Sequence, residues 1–297
     1  MTALHVAGSA NARISVSFNR PNITFAVRPK VGGQKGLAAF AAFVARTYAG
    51  QSGIVYCREF PALCSSPLRL LTLTPPIVLS TVSRDECSTV CDALCAADVS
   101  ACVYHAGMTP RQRVAVQRDW CTGATRVACA TIAFGMGIDR ADVRFVLHYT
   151  MPKSIENCYQ EAGRAGRDGQ PASHTLFFSP GDHSRVVRLI RRGKRQAGGG
   201  NTAAALRLAD AMRDYCTQKR ICRRVQLLDY LGEQFDSARC RGTCDNCARA
   251  AGTLPPGHDE PLPGAGPIAK PRTRKPKAPK GARGKKRARV AKPRAKS

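Results

Sequence analysis

The sequence has 297 residues and a formal net charge of +27, from 47 Lys and Arg against 20 Asp and Glu. This charge predicts an anionic partner, with nucleic acid first and a membrane surface second. No stretch approaches the roughly 18 unbroken apolar residues of a membrane helix, and the N-terminus lacks the charged-then-apolar pattern of a secretory signal. We therefore expect no membrane partner, and the 14 cysteines indicate a reducing compartment in which thiols are buried or bind metal.

The first predicted elements are those of an α/β unit. Residues 17–30 alternate apolar and polar side chains as an extended segment does, residues 37–48 carry an apolar helix face, and residues 52–57 form a short apolar run. Residues 58–82 interrupt this series, because they hold four prolines and show neither a helical period nor strand alternation. Since connections between a strand and a helix are usually short, we expect an insert foreign to the fold, such as translated intron sequence. A functional loop is the alternative.

After this segment the α/β pattern resumes, with helices and strands that alternate along the chain. The strand segments are continuous apolar runs, which is typical of parallel strands covered on both faces. This order predicts a doubly wound parallel sheet of the α/β class. The predicted helices cover residues 86–97, 111–120 and 180–192, and one more helix starts at residue 155. The predicted strands cover residues 125–130, 143–149 and 173–178, and one more strand ends at Tyr104.

The helix that starts at Ile155, after a capping Ser154, carries the most distinctive polar face. Gln160, Arg164 and Arg167 follow one another at three- and four-residue steps. Arginine keeps its charge and presents a planar fork of donors that suits phosphate. This face therefore predicts a phosphate contact, with a solvated basic helix end as the plain alternative.

A second unit is predicted after a glycine-rich linker at residues 196–201, with helices over residues 202–216 and 221–231. Four cysteines in this unit have the spacing C-x17-C-x3-C-x2-C. Four thiolates with two close spacings are the ligand set of a closed tetrahedral zinc site. The alternative of free buried cysteines fits the other ten better than this tight cluster. The expected Zn²⁺ ligands are Cys222, Cys240, Cys244 and Cys247.

The C-terminal residues are rich in proline, alanine, lysine and arginine from about residue 248. Residues 251–297 contain 14 Lys and Arg against 2 Asp and Glu, a net charge of +12. No apolar period runs through them, so we expect a disordered basic tail. Such a tail is typical of a nonspecific nucleic-acid arm, a nuclear targeting signal, or both.

Two adjoining motifs resemble a known family. The string QEAGRAGRDG, preceded by ATIAFGMGID, resembles the last two helicase motifs of superfamily 2, and specifically those of the RecQ family of DNA helicases. The pentapeptide that starts at Tyr104, YHAGM, resembles another RecQ motif, and the triplet that starts at Cys222, CRR, resembles the first ligand segment of the RecQ zinc module. The spacing of three residues between Cys240 and Cys244, where the family has two, is a departure that a loop can absorb.

This resemblance implies a domain plan and a set of roles. Residues 15–182 correspond to the second RecA-like motor lobe, with 58–82 as an unusual insert, residues 183–247 to the zinc module and residues 248–297 to the tail. In the family the second lobe supplies arginines to the γ-phosphate of ATP, which implies Arg167 as the finger, Arg164 as a coupling residue and Gln160 beside them. Gly135, Gly137 and Asp139 fall on the preceding motif and are implied nucleotide contacts. The implied DNA phosphate contacts are Arg84, His105, Thr131 and Lys153.

Two motifs of a complete helicase motor are not found in the 297 residues. No G-x-x-x-x-G-K-[ST] loop is present, since Gly193-Lys194 and Gly284-Lys285 are followed by basic residues. There is also no D-E-x-H motif. The resemblance therefore implies that ATP and Mg²⁺ bind only when a first RecA-like lobe is supplied, and that the chain alone is inactive.

Three hypotheses about function follow. The first is that the chain is a gene-model fragment of a longer 3′–5′ RecQ helicase. That helicase couples ATP hydrolysis to strand separation in repair, recombination and replication. The second is a non-enzymatic DNA-binding zinc protein, and the third is a half-motor that pairs with a separate first lobe. Each implies DNA as the partner, single-stranded and as a junction or duplex. Each also implies residence in the nucleus, or in nucleus and cytoplasm.

Overall fold

A fully parallel sheet organises the chain in the computed structural model, which describes residues 17–57, 86–134, 140–197 and 202–264. Its six strands have the order β1-β6-β5-β2-β4-β3, and every neighbouring pair is parallel. The strands are β1 (Ile23–Pro29), β2 (Gly53–Tyr56), β3 (Ala101–Tyr104), β4 (Val127–Ala130), β5 (Phe145–His148) and β6 (Ala172–Phe178). The predicted doubly wound parallel sheet is thus confirmed.

Helices connect and follow the strands. In the lobe they are α1 (Gly33–Thr47), α2 (Glu86–Cys95), α3 (Pro110–Cys121) and α4 (Ile155–Ala162). The remaining elements are α5 (Pro180–Ala197), α6 (Thr202–Thr217), α7 (Arg223–Tyr230), a 3-10 turn (Ser237–Cys240) and α8 (Asp245–Ala250). Among the described residues no helix is long and apolar enough to cross a membrane.

The helix starts in the lobe follow their sequence signals. Thr109 accepts a hydrogen bond from the Gln112 N–H at 3.3 Å, and the Gln112 side chain accepts one from the Thr109 N–H at 2.9 Å, which makes a capping box for α3. Ser154 accepts a hydrogen bond from the Asn157 N–H at 3.3 Å at the start of α4. Both predicted helix starts are confirmed.

Apolar residues pack on both faces of the sheet. On one face Phe40 of α1 and Leu94 of α2 pack with Val55 and Leu147 of the strands. On the other face the core extends without a break from the strands through α3 and α4 to Met212 of α6 and other residues of the second unit. The second unit therefore shares its apolar core with the sheet.

Residues 251–264 lie against the lobe, which corrects the predicted start of the tail at residue 248. Leu262 is only 6% exposed and packs with Phe40, Tyr149 and other residues of the lobe core. Asp259 accepts hydrogen bonds from Arg249 at 2.9 and 2.7 Å. The polar, proline-rich composition suggested a tail, but Leu262 and Asp259 provide apolar and ionic contacts with the lobe and the second unit.

Several sequence predictions fall outside the described residues. They are the insert at residues 58–82, the residues Arg84, Gly135, Gly137 and Asp139, and the basic segment 265–297.

Candidate metal centre and arginine-bearing turn

The second unit brings four cysteines together. The sulfur atoms of Cys222, Cys240, Cys244 and Cys247 all lie within 4.8 Å of one another, and the Cys222 and Cys244 sulfurs are 3.8 Å apart. Zinc–sulfur bonds of about 2.3 Å in a tetrahedron place neighbouring sulfurs about 3.8 Å apart. The four thiols therefore fit a structural zinc site, as predicted from their spacing.

The backbone around the cluster favours thiolate at one ligand. The N–H groups of Arg223 and Cys247 each donate to the Cys244 sulfur at 3.4 Å. The hydrogen bond with the Cys222 thiol and these backbone donors lower the pKa of Cys244 to about 5, although burial opposes the shift. A thiolate is the form that binds metal.

Zinc-site residues also cover the outer edge of β1. The Phe25 N–H donates to the Thr243 carbonyl at 3.1 Å, and the Val27 N–H donates to the Asp245 carboxylate at 3.0 Å. A parallel bridge joins Phe25 to Cys244. The loop that carries two of the cysteines is thus bonded directly to the sheet.

The two arginines after Cys222 are buried and link the zinc site to its surroundings. Arg223 is 1% exposed and donates to both oxygens of Asp245 at 2.8 and 3.0 Å. Arg224 donates to the Ile23 carbonyl at 2.6 Å and to the Arg20 carbonyl at 2.8 Å. The CRR triplet therefore provides one metal ligand and two anchors, a role that the sequence resemblance did not specify.

The predicted catalytic residues lie on α4 and on the turn after it. Gln160 and Arg167 are exposed and Arg164 is partly buried. Below them, Glu161 of α4 is buried and its carboxylate contacts the Nε2 atom of His148 on β5 at 2.5 Å. This contact fixes α4 on the sheet, so the turn starts from a rigid base.

The turn itself has a conformation that requires glycine. Gly166 has a φ of +56°, and a Cβ there would meet the Asn22 Nδ2 atom at 2.5 Å and the Gln170 carbonyl oxygen at 2.9 Å. The Gly166 N–H donates to the Val143 carbonyl at 2.8 Å. Val143 precedes β5, so the arginine-bearing turn lies at the amino end of the strands.

The predicted DNA contacts within the described residues lie at the carboxyl ends of the strands. His105 directly follows β3, Thr131 directly follows β4, and Lys153 lies in the loop after β5. The Thr131 N–H donates to the Tyr104 carbonyl at 3.1 Å, which places it near His105. Lys153 is exposed. Thr131 is buried by the described residues, so the Thr131 side chain is not accessible to DNA.

Sequence reasoning missed the residues that support the turn. Arg20, Asn22 and Glu161 contact it or its helix, yet the first two lie more than 140 positions away along the chain. A charged residue next to proline in an extended segment carries no spacing signal for such a contact.

Two protein-family profiles match the chain. The profile of the helicase conserved C-terminal domain matches residues 69–169, and that of the RecQ zinc-binding domain matches residues 180–248. The first match begins within the segment that we expected to be foreign to the fold.

Curated relatives agree with these matches. The ATP-dependent DNA helicase Q-like 4B of Arabidopsis thaliana is 37% identical over 244 residues, which are 78% of this chain and 19% of that protein. The RecQ-like DNA helicase blm-1 of Caenorhabditis elegans is 39% identical over 245 residues, which are 80% of this chain and 22% of that protein. The ATP-dependent DNA helicase Q1 of Pongo abelii is 33% identical over 236 residues, 79% of this chain and 31% of that protein.

The chain thus spans about a fifth to a third of the length of these relatives. The match to the helicase C-terminal domain ends at residue 169, just after the arginine-bearing turn, and the match to the RecQ zinc-binding domain contains the four cysteines. The chain therefore carries a helicase conserved C-terminal domain followed by a RecQ zinc-binding region, and over about four fifths of its own length it is a relative of RecQ-like DNA helicases.

Proposed function

We propose that the chain acts as the second motor lobe and zinc module of an ATP-dependent 3′–5′ DNA helicase. Its role is to couple ATP hydrolysis to strand separation in repair, recombination and replication, in the nucleus. The observation that carries this proposal is the turn after α4, where Arg164 and Arg167 follow a helix whose buried Glu161 contacts the sheet.

The nucleotide end of this mechanism uses the arginines. ATP and Mg²⁺ would be held by a first lobe, because the 297 residues contain no phosphate loop. Arg167 is exposed and keeps its charge, so it is suited to stabilise negative charge that develops on the γ-phosphate. Arg164 is partly buried beside it and would couple nucleotide to DNA, with Gln160 on the same helix face. Gly135, Gly137 and Asp139 would line the nucleotide.

The DNA end uses the carboxyl edge of the strands. Lys153 and His105, together with Arg84, would contact phosphates and carry no base specificity. The side chains of Arg164 and Arg167 lie close to Tyr56, the last residue of β2. The nucleotide and DNA ends would therefore be adjacent, which would allow a change at the nucleotide to alter the grip on a DNA strand.

An ATPase assay with the full chain tests the nucleotide role. The chain alone should show no hydrolysis, and the first lobe of a RecQ relative should restore DNA-stimulated turnover. In that pair Arg167→Ala should lower kcat by about 10³ to 10⁵, with little change in KM for ATP. Arg118→Ala is the matched control, since Arg118 is exposed on α3 and pairs with its neighbour Asp119. Normal turnover by Arg167→Ala would contradict the finger assignment, and hydrolysis by the chain alone would contradict its dependence on a first lobe.

A truncation after Gly264 tests the DNA role of the basic segment. It removes 14 Lys and Arg while the strap at residues 251–264 stays in place. We expect weaker binding to a single-stranded oligonucleotide, and a salt dependence whose slope falls by about 0.7 for each DNA phosphate that the truncated chain no longer binds. An unchanged slope would assign the segment to nuclear targeting instead.

A second candidate function is a DNA-binding zinc protein without enzymatic activity. The sequence favours it in one respect, since neither a phosphate loop nor a D-E-x-H motif is present in the 297 residues. It would be supported if the chain binds DNA but no first lobe restores hydrolysis. Restored hydrolysis would exclude it.

A further inference from the structure

We propose that Arg20 is a positioning residue for Arg164 and Arg167, and that it couples their turn to the zinc module. Arg20 touches neither nucleotide nor DNA in this proposal. It acts on the backbone that carries the two arginines. The inference rests on the proposed function of those arginines and adds a residue that neither helicase motif contains.

The first step is the contact between Arg20 and the turn. Its Nη1 atom donates to the Gly163 carbonyl at 3.0 Å, and its Nη2 atom donates to the carbonyls of Ala165 and Gly166 at 2.9 and 2.8 Å. These carbonyls precede and follow Arg164, and the last belongs to the residue before Arg167. One planar guanidinium therefore fixes three of the peptide groups that set the direction of both side chains.

Electrostatics favour this arrangement. The carbonyls lie at the C-terminal end of α4, where the helix dipole leaves partial negative charge and a cation is stabilising. Hydrogen bonds from a charged donor are shorter and stronger than neutral ones. Arg20 is partly buried, so water competes less for its donors than at the surface.

The surroundings of the turn leave little freedom once Arg20 is in place. Asn22 also donates to the Gly166 carbonyl at 2.8 Å, and to that of Gln170 at 2.9 Å. Arg144 binds both oxygens of Asp168 at 2.6 and 2.7 Å on the far side. Arg20 and Asn22 hold the helix side of the turn, and Arg144 holds its strand side.

The second step is the contact between Arg20 and the zinc module. The Arg224 Nη1 atom donates to the Arg20 carbonyl at 2.8 Å and to the Asn19 side chain at 2.9 Å. Arg224 lies two residues after the ligand Cys222, and its Nε atom donates to Thr243, which precedes the ligand Cys244, at 3.2 Å. A path of hydrogen bonds and short chain segments thus runs from the candidate ligands Cys222 and Cys244 through Arg224 and Arg20 to the arginine-bearing turn.

Hydrogen exchange on the full chain tests the positioning role without catalysis. In Arg20→Gln the amides of residues 163–170 should exchange at least about 10-fold faster, because local opening of the turn costs less free energy. Exchange in β4 and β5 should stay unchanged. Arg28→Gln is the matched control, since Arg28 lies near the far end of β1 and donates to a backbone carbonyl, that of Gly257, away from the turn.

Turnover with a supplied first lobe provides the second readout. Arg20→Gln should lower kcat by about 10², the cost of a small misplacement of a catalytic group, while KM for ATP changes little. Arg20→Lys should recover part of the loss, because an ammonium keeps the charge but cannot bridge three carbonyls. Arg28→Gln should behave as the wild type.

The outcomes separate this inference from the proposed function. If Arg167→Ala abolishes turnover while Arg20→Gln matches Arg28→Gln in exchange and kcat, the inference is wrong and the proposed function stands. Faster exchange across the whole chain in Arg20→Gln would show a merely structural residue and also overturn it. If that variant does not fold, Arg20→Lys must show the local exchange change for the inference to stand. Normal turnover by Arg167→Ala would instead overturn the proposed function.

Discussion

The interiors of the sheet lobe and the zinc module differ in composition. In the lobe, the strands β2, β4 and β5 have four residues each, and every one of these residues is buried. Almost all of them are apolar. In the module, the most buried side chains include Arg223, Arg224, Asp245 and Asn246, at 1 to 4% exposure, beside the cysteines.

The difference follows from size. Two helices of the module, α7 and α8, are only 8 and 6 residues long, and the apolar side chains of α6 pack into the core shared with the sheet. Area buried within the module alone therefore provides little stabilisation. These four buried polar side chains are instead all hydrogen-bonded, as the Asn246 side chain shows by donating to the carbonyls of Gln218 and Ile221 at 3.0 and 2.7 Å. The lobe depends on the area that it buries, whereas the module depends on specific partners. Removing one partner should therefore damage the module more than removing one apolar contact damages the lobe.

Loss of a metal ligand should give the largest effect. Cys247→Ser should remove bound zinc and unfold the module, because structural zinc contributes on the order of 10 kcal/mol to small metal domains. Metal analysis should find one zinc in the wild type and none in the variant, and proteolysis should cut the module before the lobe. Cys95→Ser is the control, since Cys95 is an exposed cysteine on α2 outside the cluster. Zinc retained in Cys247→Ser would contradict the ligand set.

Breaking the buried ion pair should give the next largest effect. Asp245→Asn leaves the Arg223 charge buried without its carboxylate, which costs about 3 to 5 kcal/mol in the free energy of unfolding. Chemical denaturation measures it. Asp214→Asn breaks an exposed pair with Arg213 and should cost less than about 1 kcal/mol. Equal effects of the two substitutions would mean that burial does not set the cost.

Truncation of an apolar side chain that packs in the lobe core should lower the free energy of unfolding by less than either of these changes. Leu262→Ala removes the anchor of the strap from the pocket that Phe40, Tyr149 and Phe177 line, at a cost of about 2 kcal/mol. Thermal unfolding is the measurement, with Leu208→Ala as the control because Leu208 is 37% exposed. A wild-type melting temperature for Leu262→Ala would show that the strap contributes nothing to the lobe.

Acidification should give the smallest effect. Burial, and then the nearby His148, hold the pKa of His174 well below its ordinary value. Below about pH 6.5 the unfolded chain binds a proton there that the folded chain does not, so the free energy of unfolding falls by at most about 1.4 kcal/mol per pH unit. Cys158, His148 and, through it, Glu161 are the groups that surround His174. His174→Gln should flatten the decline between pH 6.5 and 5.5, and an equal decline in the variant would assign it to other groups.

The sequence predicted the features that depend on local pattern. Apolar runs indicated the parallel strands, Thr109 and Ser154 indicated helix starts, and cysteine spacing indicated the cluster. Each of these signals depends on residues that lie close together in the sequence. It did not predict that Arg223 is buried, since charged residues are usually exposed and its partner Asp245 lies 22 positions away. The Arg20 contacts cross 143 positions and have no periodic signal. The roles of Arg167, Gln160 and the DNA contacts stay predictions.

The bonding of the zinc loop to β1 has a consequence for self-association. β1 is an edge strand seven residues long, whereas the other edge of the sheet, β3, has only four residues. Donors at Phe25 and Val27 and the carbonyl of Ile23 are all bonded by module residues. Metal loss would free this row of backbone groups, and an open edge strand is a template for pairing with another chain. A metal bound at the four cysteines would therefore keep this edge strand covered, and we expect its removal to favour strand-mediated aggregation of the chain.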